Sequence, residues 1–303
     1  MLNNLKDNKA TNDTIPIKIF KLIPDNILLH LTELFNRSLK SGTFPDILKS
    51  SKIIPIHKQG SQSDCNNYRP ISILSYIDKM LEKALCIRLH QFLNKINFFC
   101  SNQYGFRSNH NSEYALISLM DRMYKAIDKK QVVVLLSVDL RKAFDVIRYD
   151  ILFDKLENLG IRETLLKWFQ SYLTRRRQQT MINGVLSKCL EVEYGVPQGS
   201  SLRPLLYLMY FNDVKNVFSE TDINVFADDT CLIASNNCID EAMREMNDKI
   251  KRLERFTSAN GIRINDKKTE YMIIQSKGKP LSHIEEELYY EGENCEGPMK
   301  SNY

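Results

Sequence analysis

The stretch Val132-Val-Val-Leu-Leu-Ser-Val138 constrains this chain most. It is a nearly continuous apolar run rich in β-branched residues, the pattern of a strand buried on both faces at the centre of a sheet. Asp139 ends that strand. Residues 223–227 and 230–234 read as a hairpin with Asp228 and Asp229 at its tip. With the hairpin beside the central strand, three carboxylates meet at one sheet edge. Such a gathering is unfavourable unaided, because like charges within a few ångströms raise one another's pKa.

Two Mg²⁺ ions (Mn²⁺ being the alternative) remove that conflict, since hard cations prefer carboxylate oxygens and leave positions open for phosphates. Two metals about 3.5–4 Å apart suit in-line phosphoryl displacement, one activating a hydroxyl and the other steadying the leaving group. On this reading Asp139 and Asp228 bridge the ions, Leu140 lends its carbonyl and Asp229 supports the site. An Asp-Asp turn alone is ordinary, because Asp favours turns for backbone reasons.

The rest of the chain mixes helices and strands without strict alternation, so the class is α+β. Apolar residues recur at helical spacing over 27–39, 77–93, 113–128, 149–159, 162–173 and 205–211. A long amphipathic helix carries Ile239, Met243, Met246, Ile250, Leu253 and Phe256. Strands are expected at 52–57 and 271–274, and a second hairpin at 179–182 and 185–193 around Asn183-Gly184. From Ser276 onward the chain is polar and Glu-rich, with little to pack.

The net charge of +5 on 303 residues is mild, but its distribution is uneven. Basic residues cluster at Arg175–Arg177, at Lys267-Lys268 and along 49–58, which suits a polyanionic partner. Solvated helix faces are the plainer explanation of any one cluster. The seven cysteines show no CxxC spacing and read as thiols of a reducing compartment. Residues 1–14 hold no signal-like apolar core, and no apolar run reaches the ~20 residues of a membrane span. The expectation is a soluble intracellular protein without a membrane partner.

Phe226-Ala-Asp-Asp-Thr230 resembles the catalytic box of reverse transcriptases, as does Val138-Asp-Leu-Arg-Lys-Ala-Phe-Asp145. Gly195-Val-Pro-Gln-Gly-Ser200 resembles the box between them. Asn67-Tyr-Arg-Pro-Ile-Ser72 and Gln103-Tyr-Gly-Phe-Arg107 look like fingers segments of retrotransposon enzymes lacking long terminal repeats. Asn260-Gly-Ile-Arg-Ile-Asn265 with Lys267-Lys-Thr269 looks like the box that closes their palm. The resemblance covers about 27–274 and is nearest the jockey-like branch of these non-LTR elements.

The resemblance implies an RNA-directed DNA polymerase with an RNA template, a DNA primer and dNTPs as partners. It implies a right-hand fold with fingers over 15–130, an antiparallel palm sheet packed on helices over 131–275, and a thumb largely missing. The segments 1–14 and 276–303 are expected to be disordered. An endonuclease would come from a missing region or another protein, and target-primed copying places the work in the nucleus. Asp139, Asp228 and Asp229 match the catalytic carboxylates. Lys268, or Lys267 one residue away, matches a lysine that protonates departing pyrophosphate. Lys58 and Arg69 match residues that grip the triphosphate. Phe144 matches a ring beneath the sugar that excludes a 2′-hydroxyl. Gln198 and Gly199 match positions tracking the nucleotide, and Gln103 and Arg107 match positions along the template.

The chain departs from the family pattern in places. Arg203 stands before Pro204 where the pattern has glycine, and Thr11-Asn-Asp-Thr14 replaces a Gly-Pro-Asp-Gly turn. An arginine there is expected to displace the following helix. A catalytically silent relic that binds RNA at most is therefore the competing reading. A viral-type RNA-dependent RNA polymerase is a third, opposed by Phe144.

Overall fold

A computed structural model describes Asp13 and residues 17–22, 24–276, 287–290 and 293–294. Its contacts divide the chain into two units interleaved in sequence, Met1–Ile96 with Ile147–Met209, and Asn97–Val146 with Tyr210–Tyr303. The boundary expected at 130/131 does not follow this division. The reason is long-range pairing: β1 (Ser50–His57) runs parallel to β4 (Arg176–Ile182), which draws the middle of the chain to its N-terminal part.

In the first unit a five-stranded sheet runs β2 (Tyr68–Ile73), β1, β4, β5 (Val185–Leu186), with β6 (Leu190–Val192) also paired to β4. β2 has no strand-like periodicity in sequence, and Pro70 argues against one. It forms because it lies at a sheet edge, where a missing N–H costs no ladder bond. Asn183 and Gly184 make the tight turn expected of them, both with positive φ (50° and 82°). Beside the sheet-forming segments are α1 (Ile17–Leu22), α2 (Pro24–Ser41), α3 (Tyr76–Lys95), α5 (Tyr149–Asn158) and α6 (Glu163–Leu173). Ser75 caps α3 through the Asp78 N–H at 3.0 Å. α6 packs on α2 and α5. Trp168 of α6 stacks on Tyr172 at 5.3 Å, and Phe44 meets both rings edge-on. The indole N–H is satisfied by Ser38 Oγ at 2.9 Å.

In the second unit a four-stranded, wholly antiparallel sheet is ordered β7 (Ile223–Phe226), β8 (Asp229–Asn236), β3 (Val132–Val138), β9 (Glu270–Ile274). The strand that reads as central is central, and Val132, Val133, Val134, Leu136 and Val138 are all buried. α4 (Ser112–Asp128) sets Leu119, Met123 and Ala126 against Val133, Leu135, Ile233 and Ile274. α8 (Ile239–Ala259) packs on β8 and β3, burying Ile239, Met243, Met246, Ile250 and Leu253 at spacings of three and four. Each such side chain contributes roughly 1.5–3 kcal/mol by leaving water. Lys249 on the same helix is also buried. Its charge is met by Glu245 at 2.6 Å and Asp222 at 2.8 Å, which is what makes a buried ammonium tolerable.

α7 (Arg203–Phe211) forms in spite of Arg203, and Leu205 to Phe211 are buried without exception. Ser200 Oγ accepts from the N–H groups of Leu202 (3.0 Å) and Arg203 (3.3 Å), while the Arg203 guanidinium donates back to the Val196 carbonyl. The arginine is thus absorbed by the loop that precedes it. Near the C-terminus, β10 (Tyr289–Tyr290) pairs with β11 (Glu293–Asn294), and Leu288 is buried. Asn247 of α8 binds Glu287 and Tyr289 there. Within the tail expected to be disordered, the Leu288 and Tyr290 side chains are buried. Most of the remaining tail and of residues 1–14 lies outside the described residues. Among those described, no helix is long and apolar enough to cross a membrane, and six cysteines carry free thiols.

Candidate active site

β3 and β8 end their ladder at the pair Val138 and Thr230, so one step further Asp139 stands across from Asp229. Partial burial and then the Asp139 charge hold the Asp229 carboxyl above the ordinary carboxylate range. The β7–β8 hairpin closes on the pair Phe226 and Asp229. Its two turn residues are therefore Ala227 and Asp228, not Asp228 and Asp229 as the sequence pattern implied. Ala227 holds φ at +61°, a left-handed conformation that costs any residue with a Cβ. Asp228 follows it, half-buried at the second turn position.

Asp139 is fixed by Asn265, a residue that sequence reasoning placed in a family box without giving it a task. The Asn265 amide donates to Asp139 Oδ2 at 2.6 Å, and its backbone N–H donates to the Asp139 carbonyl at 2.7 Å. Arg141 N–H bonds the Arg263 carbonyl at 2.8 Å, so Leu140 sits between two bonds of an isolated bridge to Ile264. Neither of those bonds uses the Leu140 carbonyl. Among the described residues no three His, Cys, Asp or Glu side chains are already closed into a metal-binding set. The donor type still fits a hard divalent cation: two facing carboxylates, one of them with its pKa raised by partial burial and then by the other's charge.

An expected result follows for Asp139→Asn. With that neighbouring charge gone, Asp229 titrates at lower pH than in the parent chain, as carbon-detected NMR of labelled aspartates would show. In the parent the raised pKa means Asp229 loses its charge at a higher pH than an ordinary aspartate. An unchanged Asp229 titration in the variant would leave partial burial as the whole cause.

The segment 102–107 lies along β7. Tyr104 N–H bonds the Val225 carbonyl at 2.8 Å, and Val225 N–H bonds the Asn102 carbonyl at 2.9 Å. Gln103 is buried and bonds the Ala227 turn, while Arg107 donates to the carbonyls of Cys100 (2.7 Å) and Gln103 (3.0 Å). Of these two side chains, for which template contacts were expected, Gln103 is turned inward, and Arg107, half-buried over the Phe99 ring, braces its own loop. Phe144 is half-buried and meets Phe106 edge-on at 6.1 Å. Lys267 and Lys268 are exposed on a 3-10 turn immediately after Asn265.

Lys58, Arg69, Gln198 and Gly199 belong to the other unit. Lys58 and Arg69 are exposed at the β1–β2 hairpin, where Lys58 N–H bonds the Asn67 carbonyl at 2.8 Å. The Gln198 carbonyl accepts from Ser72 N–H at 2.8 Å. A Cβ on Gly199, which holds φ at +128°, would lie 2.8 Å from the Ser72 carbonyl oxygen, so β2 itself demands glycine there.

Residues 56–287 match the family described as reverse transcriptase (RNA-dependent DNA polymerase). This chain belongs to the reverse transcriptase family. It is 28% identical over 96% of its length to the probable RNA-directed DNA polymerase from transposon BS of Drosophila melanogaster, covering 33% of that protein. It is also 28% identical over 95% of its length to the RNA-directed DNA polymerase from mobile element jockey of Drosophila funebris, covering 34% of it. The expected kinship with jockey-like non-LTR elements holds. The reverse transcriptase domain spans about a third of the length of these curated relatives. A telomerase of Candida tropicalis, solved with a fragment of telomeric RNA, superposes with a TM-score of 0.57 at 14% identity, over 89% of this chain and 47% of that one. That likeness is one of fold, and it agrees with the α+β fingers-and-palm class read from sequence.

Membership of the reverse transcriptase family implies dependence on a divalent metal. A second set of residues was not read as a site from sequence, and Arg176, counted there in a basic cluster suited to a polyanion, is buried within it. Asp78 and Glu82 lie on the buried face of α3, with Arg176 and Tyr172, all nearly without solvent contact. Glu82 accepts from Tyr172 OH at 2.5 Å and from Ser201 N–H at 2.6 Å, and Tyr172 also meets Ser200 Oγ at 2.8 Å. This network holds the end of the Gly195–Ser200 box of the reverse transcriptase. Its signal in sequence is the i, i+4 placement of two acids on the stripe that also carries Leu85 and Leu89.

Proposed function

We propose that this domain is the polymerase centre of a mobile-element protein that copies RNA into DNA by adding dNTPs to a primer 3′-hydroxyl. The observation that carries the reading is the meeting of Asp139 and Asp229 across the ends of β3 and β8, with Asp228 in the adjoining turn. Asp139, Asp228 and Asp229, with the Leu140 carbonyl, hold two Mg²⁺ ions (or Mn²⁺). A bound divalent ion supplies the charge that makes a hydroxyl nucleophilic and a diphosphate a good leaving group. Asn265 keeps the Asp139 carboxylate oriented, and the sheet register keeps Asp229 opposite it. By family resemblance Lys58 and Arg69 bind the triphosphate, Gln198 and Gly199 track the nucleotide, and Lys268 gives a proton to the departing pyrophosphate. An endonuclease from elsewhere supplies the nick, and nuclear chromosomal DNA is the site of copying. The test is Mg²⁺-dependent dNTP incorporation by the purified full chain on an RNA template with a DNA primer. Incorporation no greater than that of an Asp228→Ala chain would sink the proposal.

Phe144 is the group that separates deoxyribonucleotides from ribonucleotides in this reading. Its half-buried ring, edge-on to Phe106, would exclude a hydroxyl by contact. Phe144→Ala is expected to raise rNTP use relative to dNTP use by roughly 10- to 100-fold, the scale on which pocket contacts discriminate. Single-nucleotide extension with each substrate measures the ratio; an unaltered ratio would remove Phe144 from the sugar.

A further inference from the structure

Gln103 binds the catalytic hairpin at its most strained point. Its side-chain Oε1 accepts from the N–H of Ala227 at 2.9 Å and from the N–H of Gly105 at 2.8 Å. Its Nε2 donates to the Ala227 carbonyl at 3.4 Å, a weaker contact. The carboxamide therefore meets both polar groups of one peptide residue, as a neighbouring strand would. Gln103 also forms a parallel bridge with Val225, two residues before the turn. It is buried, so these bonds are made without competition from water.

Gly105 completes the contact. A Cβ built there would stand 2.8 Å from Ala227 Cα and 2.9 Å from its Cβ, and would overlap its nitrogen. Only a residue without a side chain lets segment 102–106 come this close to the turn. The residue so gripped is the one with φ at +61°, where an alanine does not settle by preference. Asp228 is the next residue, so the direction of its carboxylate depends on how Ala227 is held.

We propose that Gln103 is a positioning residue, whose carboxamide holds Ala227 in its left-handed conformation and thereby aims Asp228 at the cation. The claim about the cation rests on the metal-binding reading given above; the claim about the turn does not. Nothing in the family resemblance asks this of Gln103, which that resemblance assigns to the template.

The experiment uses the full chain in three forms: parent, Gln103→Leu, and Gln103→Leu combined with Ala227→Gly. Amide exchange at position 227 is followed by NMR, and Mn²⁺ binding by electron paramagnetic resonance, with melting temperature recorded for each. In Gln103→Leu the amide at 227 exchanges at least ~10-fold faster, and Mn²⁺ affinity falls by about 10- to 100-fold, the usual scale for groups that orient metal ligands. Glycine takes positive φ without penalty, so the double variant regains most of the Mn²⁺ affinity while its amide at 227 stays fast. Unchanged exchange in Gln103→Leu overturns the proposal. So does a loss of Mn²⁺ affinity that the double variant fails to recover, accompanied by a fall in melting temperature, since that marks a general packing role. If the parent binds no Mn²⁺, or Asp228→Asn binds it as well as the parent, the metal reading falls by itself. Exchange at position 227 then decides the positioning claim alone, faster exchange sustaining it and unchanged exchange overturning it.

Discussion

Asp228→Ala lowers primer extension by at least roughly 100-fold relative to the parent chain, with little change in melting temperature. The magnitude follows from the place of the residue. It sits at the second position of a two-residue turn, half-buried, beside a strand end where Asp139 and Asp229 already repel one another. On the proposed metal-binding reading, removing a carboxylate from the ligand set costs more than removing a group that merely orients one, for which 10- to 100-fold is usual. Stability moves little because the turn keeps its backbone bonds and one like charge is relieved. The measurement is steady-state incorporation on poly(rA)·oligo(dT) at saturating Mg²⁺, with circular dichroism melts beside it. Equal activity in both proteins would place the chemistry elsewhere. Absence of activity in both would favour a silent relic that at most binds RNA.

Arg176→Met is expected to destabilise the chain by about 3–5 kcal/mol at pH 8, the cost of leaving buried carboxylates without their cation. Arg176 is 1% exposed, and its guanidinium lies 3.4 Å from Asp78, itself fully buried. Burial, and then the Glu82 charge, already hold Asp78 well above the ordinary carboxylate range, and burial raises Glu82 as well. The guanidinium is among the influences that lower both. Without it both carboxyls rise further.

A carboxyl raised in the native state keeps its proton where the unfolded chain has already released it, so stability is greatest below the unfolded pKa and falls as pH climbs through the native one. The variant therefore regains part of its loss at pH 5, when the orphaned acids are protonated. Trp168, the single tryptophan, is buried against Tyr172 of this network and reports urea unfolding at both pH values. A loss under about 1 kcal/mol, or one that is the same at pH 5 and pH 8, would show that the pair carries no net charge burden. Because the network anchors Ser200 and Ser201, its failure should reach the loop that contains Gln198 and Gly199.

The apolar run 132–138 was legible as a central strand because burial on both faces leaves no alternation to misread. The long helix Ile239–Ala259 was legible for the opposite reason, a clean spacing of three and four. β2 was not, because its edge position, which excuses Pro70, is a property of the sheet and not of the segment. The interleaving of the two units was invisible for the same cause. Parallel pairing of β1 with β4 joins residues more than a hundred positions apart, and no local pattern records it.

By itself the sequence determined the chemistry: which carboxylates exist, the order of the boxes around them, and so the reverse transcriptase family. Only the tertiary structure decided how each residue serves that chemistry. Asp229, read as a tip residue, opens β8 and faces Asp139; Ala227, read as strand, takes the strained turn. Gln103 and Asn265, remote in sequence from what they touch, hold the turn and the Asp139 carboxylate. A side chain's type is written in the chain, but the partner that uses its hydrogen bonds is fixed only when distant segments are packed together.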